Sequence, residues 1–515
     1  MANEHITLTG ATYDLHAARW EFLLRSYMGG DDYRRGHYLT KYKLESEQDY
    51  LDRLEQTPLD NQVKNVVHIY SSFIWRENPV REYGSIENDP ALQPFLMDAD
   101  HDGRSFNMIM REATIWSSVY GHCWLLLDKP TIEAATRAEE LAADIRPYLT
   151  LITPENVFDW KYERQASGKY LLTYLKVREM SEHPLKINTD LLKRSFRVWT
   201  PDTIELWEAD NEHEPVLVER IDNPLGMIPA VCVYAQRSPI RGIGVSDVAD
   251  VADIQRAVYN ELSEIEQLIR ISNHPSLAKT DSTEASAGAG SVIQMPDDLD
   301  PGLTPFLLQP NSSNLDGIRA SIEDKIKAVD RTTHLGAVRA TEKQPKSGIA
   351  LQTEFQMLNS KLSEKADLLE LAEEQLWTIW CAWQNREWDG MIDYADSFDL
   401  RDYSSDLQFL QMARASGIQS DTYLKSIDKQ IAALVIDDDS DLSKANAEID
   451  SVNTVGVFDD SLQIYKYHID SEIVTKNEVR DSLGLEPTAD GDQPARPQVA
   501  PDSAIGQFDT GLPVG

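Results

Sequence analysis

The sequence predicts an α+β protein that is predominantly helical. Three observations carry this. A block from Gly121 to Tyr234 reads as short β runs, the segments on both sides of it repeat apolar residues every three or four positions, and Ile349 to about Asn385 holds that helical period with no internal Pro or Gly. At 515 residues the chain is too long for one ordinary core, so more than one domain, or one domain with large appendages, is expected.

Taken in order, Ala17 to Met28 is apolar and helix-compatible, and Gly29 and Gly30 stop it. Tyr50, Leu51 and Leu54, then Val63, Val66, Val67, Tyr70, Phe73 and Ile74, give two helices broken at Pro58. Phe106 to Tyr120 is a further helix with Ile109, Ile115, Trp116 and Val119 on its buried side. The β runs follow: Cys123–Leu127, Tyr148–Ile152, Val157–Tyr162, Tyr170–Val177, Phe196–Trp199, Ile204–Trp207 and Val216–Ile221. The pair RVW and IELW around TPDT reads as a hairpin with a Pro-Asp turn, so antiparallel neighbours dominate.

After Gly244 the chain turns helical again. Val248, Val251, Ile254, Val258, Leu262, Ile265 and Leu268 mark a long amphipathic helix from Val245 to Ser272. Pro275 to Pro310 is rich in Ser, Gly, Ala and Pro, with short apolar pieces at Ser291–Met295 and Pro305–Leu308, and reads as a loop-and-strand insert. A second helix starts near Asn314 and stops at Gly336; GAVRATEKQPKSG separates it from the longest one. Shorter helices are predicted over Asp402–Ile436 and Leu442–Ile449, then a small one in KNEVRDSLGL. From Thr488 the composition is that of a disordered tail. No internal repeat is present.

A formal net charge of -37 excludes broad-surface nucleic-acid binding, which needs Lys and Arg to neutralise phosphates. Such a protein can still surround DNA without holding it, because like charges discourage sticking. Cys123, Cys232 and Cys381 are far apart with no CxxC spacing, which argues against a disulfide framework or structural zinc and for a reducing compartment. MANEHITLTG is acidic and polar where a signal peptide needs a basic start and an apolar core, and no apolar run reaches membrane-spanning length, so no membrane association is expected.

Catalytic patterns are missing. No GxxxxGK[ST], HExxH or GxSxG occurs, His122 and Cys123 adjoin in a predicted strand and so point to opposite faces, and the glycines of RGIGVSD (Arg241–Asp247) more simply permit a turn than cradle a phosphate. In IDDDSDLSKANAE, Asp437, Asp439, Asp441 and Glu448 sit at positions one, three, five and twelve of a calcium loop, but Leu442 replaces the required Gly and Lys444 follows; acids at a helix start are the simpler reading. Trp377, Trp380, Trp383 and Trp388 are packing residues before they are a base-stacking platform. Neither enzyme activity nor a cofactor or metal is expected.

The succession from Val245 to Asn385 of helix, Pro/Gly-rich insert, helix, loop and very long helix resembles the portal proteins of tailed bacteriophages. KSGIAL (Lys346–Leu351) is similar to the step at which many portals begin their long helix. TPENVFDW (Thr153–Trp160), VTKNEVRDSLGLEPTADGD (Val474–Asp492) and YLTKYKLESEQDYLDRL (Tyr38–Leu54) look like further segments of that family. The resemblance implies an N-terminal arm (1–39), a wing (40–243 and 349–400), stem helices (244–274 and 312–335), a clip (275–311), a tunnel loop (336–348), a crown (401–487) and a tail (488–515).

The function so implied is a dodecameric ring at one capsid vertex of the virion, assembled in the host cytoplasm. Double-stranded DNA passes through it during packaging, retention and ejection. Large terminase, a head-to-tail adaptor and the major capsid protein are its implied partners. On that reading Arg339, Lys343 and Lys346 of the tunnel loop touch the DNA backbone. The stem acids Asp250, Asp253, Glu261 and Glu264, with Asp247 and Glu266 beside them, leave the channel wall repelling phosphate; read without the family they are an ordinary solvated helix face. Two rivals stay open, another capsid-associated structural protein such as a minor head or baseplate component, and a hydrolase or nuclease with an unrecognised site.

Overall fold

A computed structural model describes residues 4–130, 139–140, 143–180, 194–209, 214–273, 276–278, 300, 306–308, 313–339, 348–398, 403–415, 418, 420–436, 439–451 and 477. The chain divides into two units, Met1–Asp399 and Leu400–Gly515. The fold is α+β and mostly helical.

The first unit opens with α1 (Ala11–Met28), α2 (Gly30–Arg35), α3 (Glu47–Gln56) and α4 (Gln62–Ile74). The breaks between them have local causes. Gly29 takes a positive φ at the end of α1. Ser46 and Asn61 cap α3 and α4 by accepting hydrogen bonds from the amides of Asp49 and Lys64, and Pro58 lies between these two helices. After β1 (Val80–Glu82) come α5 (Leu92–Met97) and α6 (Phe106–Tyr120), which begins at an Ser105 cap and ends on left-handed Gly121.

Gly121 turns α6 into β2 (His122–Asp128), the centre of a three-stranded antiparallel sheet with β3 (Tyr148–Ile152) and, later, β9 (Ala230–Tyr234). A five-stranded antiparallel meander lies between them in sequence. It consists of β4 (Val157–Arg164), β5 (Tyr170–Met180), β6 (Arg194–Trp199), β7 (Thr203–Ala209) and β8 (Val216–Asp222), in that spatial order. The predicted TPDT hairpin is the β6–β7 connection, with Trp199 opposite Ile204. One face of the meander buries Val157, Leu175, Val177 and Trp199 against Trp124 and Leu126 of β2; the other buries Phe158, Phe196, Val198 and Trp207 against Ile6.

Two antiparallel helices follow, α7 (Ala249–Asn273) and α8 (Ser313–Thr333), with the short pair β10 (Ser276–Ala278) and β11 (Phe306–Leu308) between them. The 36-residue α9 (Gly348–Trp383), about 54 Å at 1.5 Å per residue, runs through the main core, where Leu358, Leu362, Leu369, Leu376, Trp377 and Trp380 meet α4, α6, β2 and β9. It is followed by β12 (Met391–Asp393), which pairs with β1. The second unit contains α10 (Tyr403–Arg414), α11 (Asp421–Val435) and α12 (Asp439–Ser451), with Leu410 and Ile427 buried and Arg414 paired to Asp428.

Several elements differ from the sequence reading. Alternation in Ala230–Tyr234 escaped it, and the three-residue strands β1, β10 and β12 are too short to show a period. The helix predicted from Val245 begins at Ala249, because residues 245–247 bond elsewhere: the Val245 amide to the Gln236 carbonyl and the Asp247 amide to the Ser118 carbonyl. The strand expected at Ser291–Met295, the helix expected in KNEVRDSLGL apart from Asn477, and the tail from Thr488 lie outside the described residues.

Candidate functional site

The site with most chemistry is the acidic side of α7. At 100° per residue, Asp250, Asp253, Glu261 and Glu264 fall within an arc of about 80° on that helix. Asp250, Asp253 and Glu264 are exposed and Glu261 is half-buried.

Three of the four carboxylates have partners in the same chain. Arg19 of α1 grips Asp253 with two hydrogen bonds, 3.0 Å from Nη1 and 2.8 Å from Nη2, and holds its carboxyl below the usual range. Lys325 of α8 donates to Glu261 at 2.6 Å, with Ser321 donating to the same oxygen at 2.7 Å, which locks the two helices together. The Tyr42 hydroxyl donates to Glu264 at 2.6 Å; burial first, and then that bond, push its own pKa up to about 12. Each bond removes part of the negative field that the sequence alone suggests, because a paired carboxylate presents a dipole rather than a full charge. Arg19, Tyr42 and Lys325 could not have been found by spacing, since they lie 64 to 234 residues from the acids they meet.

Asp247 is not on this face. It lies before the helix, with its side chain 5 % exposed, and receives Lys365 of α9 at 2.5 Å and Lys361 at 3.6 Å. Burial alone would raise its pKa, but the ammonium of Lys365 outweighs it and holds the carboxyl low. Glu266, two residues past Glu264, is half-buried and lies outside the arc of the other four.

Of the predicted basic loop residues, Arg339 is folded inward. Its Nη1 donates to Gln62 Oε1 at 2.9 Å and Asp330 Oδ1 at 3.0 Å, and the side chain is 15 % exposed. Lys343 and Lys346 lie outside the described residues.

The remaining motifs resolve into packing. Trp377 and Trp380 are fully buried with rings 5.9 Å apart, Trp388 stacks on Trp377 at 5.8 Å, and Trp383 donates to the Leu127 carbonyl. Asp439, Asp441 and Glu448 sit on α12, a continuous helix, and Asp437 lies outside the described residues. Gly242 has φ +79° against the Trp160 ring, and Gly244 packs backbone to backbone on Gly121. His122 and Cys123 are both fully buried; the imidazole pKa is pushed down to about 3, by burial first and His16 second. Among the described residues no group of three His, Cys, Asp or Glu side chains is placed to hold a metal ion, and no helix is long and apolar enough to cross a membrane.

The chain is similar to chains of gene transfer agent particles. One is from the virion of a native particle, at 10% identity and TM-score 0.41, covering 71% of this chain and 89% of that one. A second is from the neck of an empty particle computed with C6 symmetry, at 10% identity and TM-score 0.40, covering 74% and 92%. A third is from the neck of a native particle computed with C12 symmetry, at 10% identity and TM-score 0.41, covering 75% and 94%. No family model and no curated protein matches the sequence.

Proposed function

We propose that this protein is a portal-type subunit, one of a closed ring of copies that encloses a DNA channel in a phage-like particle. The observation that supports this most is the α7–α8 pair. It is a two-helix hairpin with an insert at its far end, and its long α7 turns a row of carboxylates outward in an arc of about 80°. Repeated around an axis, such hairpins make a wall of helices with a foot at one end, and a wall bearing excess acid lets a polyanion slide without adsorbing. The 36-residue α9 buried through the first unit supplies a rigid beam behind that wall.

The role is mechanical and topological, without catalysis. In the virion the ring would number twelve copies. The insert between α7 and α8 would dock the terminase during packaging and a head-to-tail adaptor afterwards, with capsid protein around the rim. Lys343 and Lys346, with Arg339 at the base of their loop, would meet the DNA backbone as point charges.

Negative-stain imaging of the purified chain, combined with light scattering, tests this. End-on rings with a central hole are expected. Monomers or two-fold particles at every concentration would remove the reading.

A further inference from the structure

Two charged ridges of opposite sign flank α7, and each lacks a partner of its own chain. Tyr259 and Ser263 of α7 meet α3, through the Leu54 carbonyl and Arg53, whereas Glu261 meets α8 through Lys325. Glu261 is two residues from both, so at 100° per residue it points about 160° to 200° away from them. The helices α3 and α8 therefore lie on opposite sides of α7.

On α3 the residues turned away from α7 are Leu51, Asp52 and Glu55, all exposed, and Leu44 just before the helix is 97% exposed. On α8 the outward positions carry Arg319, Lys327 and Arg331, also exposed, beside the half-buried Ile318 and Ile322. Lys327 meets only its own helix neighbour Asp324, at 3.4 Å. Among the described residues Arg319 and Arg331 have no ion-pair partner, and no ion pair joins the two ridges within one chain.

We propose that the Arg319/Arg331 ridge of one copy docks on the Asp52/Glu55 ridge of the next, with Leu44 and Leu51 covered at the contact. This rests on the ring reading above and names the surfaces that close it. The occupant is a second copy, because each ridge supplies the charge that the other lacks. A two-fold contact would set like ridges against each other, whereas a head-to-tail contact between opposite flanks repeats and closes into a ring. The exposed leucines supply the apolar area that a charged rim alone does not.

The test uses two full-length variants, R319E/R331E and D52K/E55K. Each should keep the wild-type circular dichroism spectrum and melting temperature, since all four side chains are exposed, and each alone should leave at least tenfold fewer closed rings in negative stain. Mixed in equal amounts they should regain rings, because reversed α8 meets reversed α3 at one junction and the native pair meets at the next. Rings from either variant alone at wild-type yield, or a mixture that stays unassembled, would overturn the pairing while wild-type rings keep the portal reading. A wild-type chain that never forms rings removes both.

Discussion

Lys365 reaches Asp247 at 2.5 Å across 118 residues of sequence, and both side chains are almost wholly removed from water. The pair ties the long α9 to the turn that leads into α7, with Ser118 of α6 as a further partner of the same ammonium. K365M should leave Asp247 with only the more distant Lys361, and a buried carboxylate robbed of its cation costs about 3 to 5 kcal/mol. The double variant D247N/K365M should recover part of that loss. Urea unfolding of the three proteins, followed by tryptophan fluorescence, checks the order.

A second buried pair makes a pH prediction. Arg53 donates to both oxygens of Glu45, at 2.7 Å each, and this bond holds the Glu45 carboxyl below its ordinary value. A depressed folded pKa stabilises above the unfolded value, about 4.3, and the contribution is lost as pH falls through the folded one. E45Q should therefore melt lower than wild type at pH 7, and the gap should narrow steadily below about pH 4. A gap that stays constant from pH 7 to pH 3 contradicts this.

The crossing of Gly121 and Gly244 admits no side chain. A Cβ on Gly244 would lie 1.9 Å from the Gly121 carbonyl oxygen, and one on Gly121 would lie 2.5 Å from that of Gly244 at a φ of +94°. G121A and G244A should each lower stability by about 2 kcal/mol or more, through steric displacement at both positions and φ strain at Gly121. Thermal melts of the variants measure it; a change under about 0.5 kcal/mol at either position refutes it.

None of the three thiols should react quickly in the native state. Cys123 and Cys381 are buried with pKa values pushed up to about 12 and about 11, by desolvation first, and Cys232 is raised by the same cause. Ellman's reagent at pH 8 should titrate none within minutes, and all three after denaturation.

Arg339 should behave differently from its loop companions. R339S breaks the bridge from Gln62 to Asp330 and should cost about 1 to 3 kcal/mol, visible in unfolding curves. K343S/K346S should leave stability unchanged and impair DNA packaging or retention in particles. Full packaging and retention with that double variant would remove the two lysines from the proposed mechanism.

Much of the architecture was legible because long periodic segments carry their own signal. The bounds of α6 and β3 coincide with the residues the pattern marks, and the 36 residues of α9 show up as a period unbroken by Pro or Gly. Strands of three residues such as β1 and β12 were not legible, since they exist only through each other across some 310 residues. The acids of α7 were equally visible in sequence, because a helix fixes the angular spacing of its own side chains. Which of them remain free was decided by the tertiary structure alone: Arg19 takes Asp253, Lys325 takes Glu261, and Lys365 draws Asp247 into the core. Charge is a property of the residue, whereas its field depends on whichever distant cation the fold places within about 3 Å.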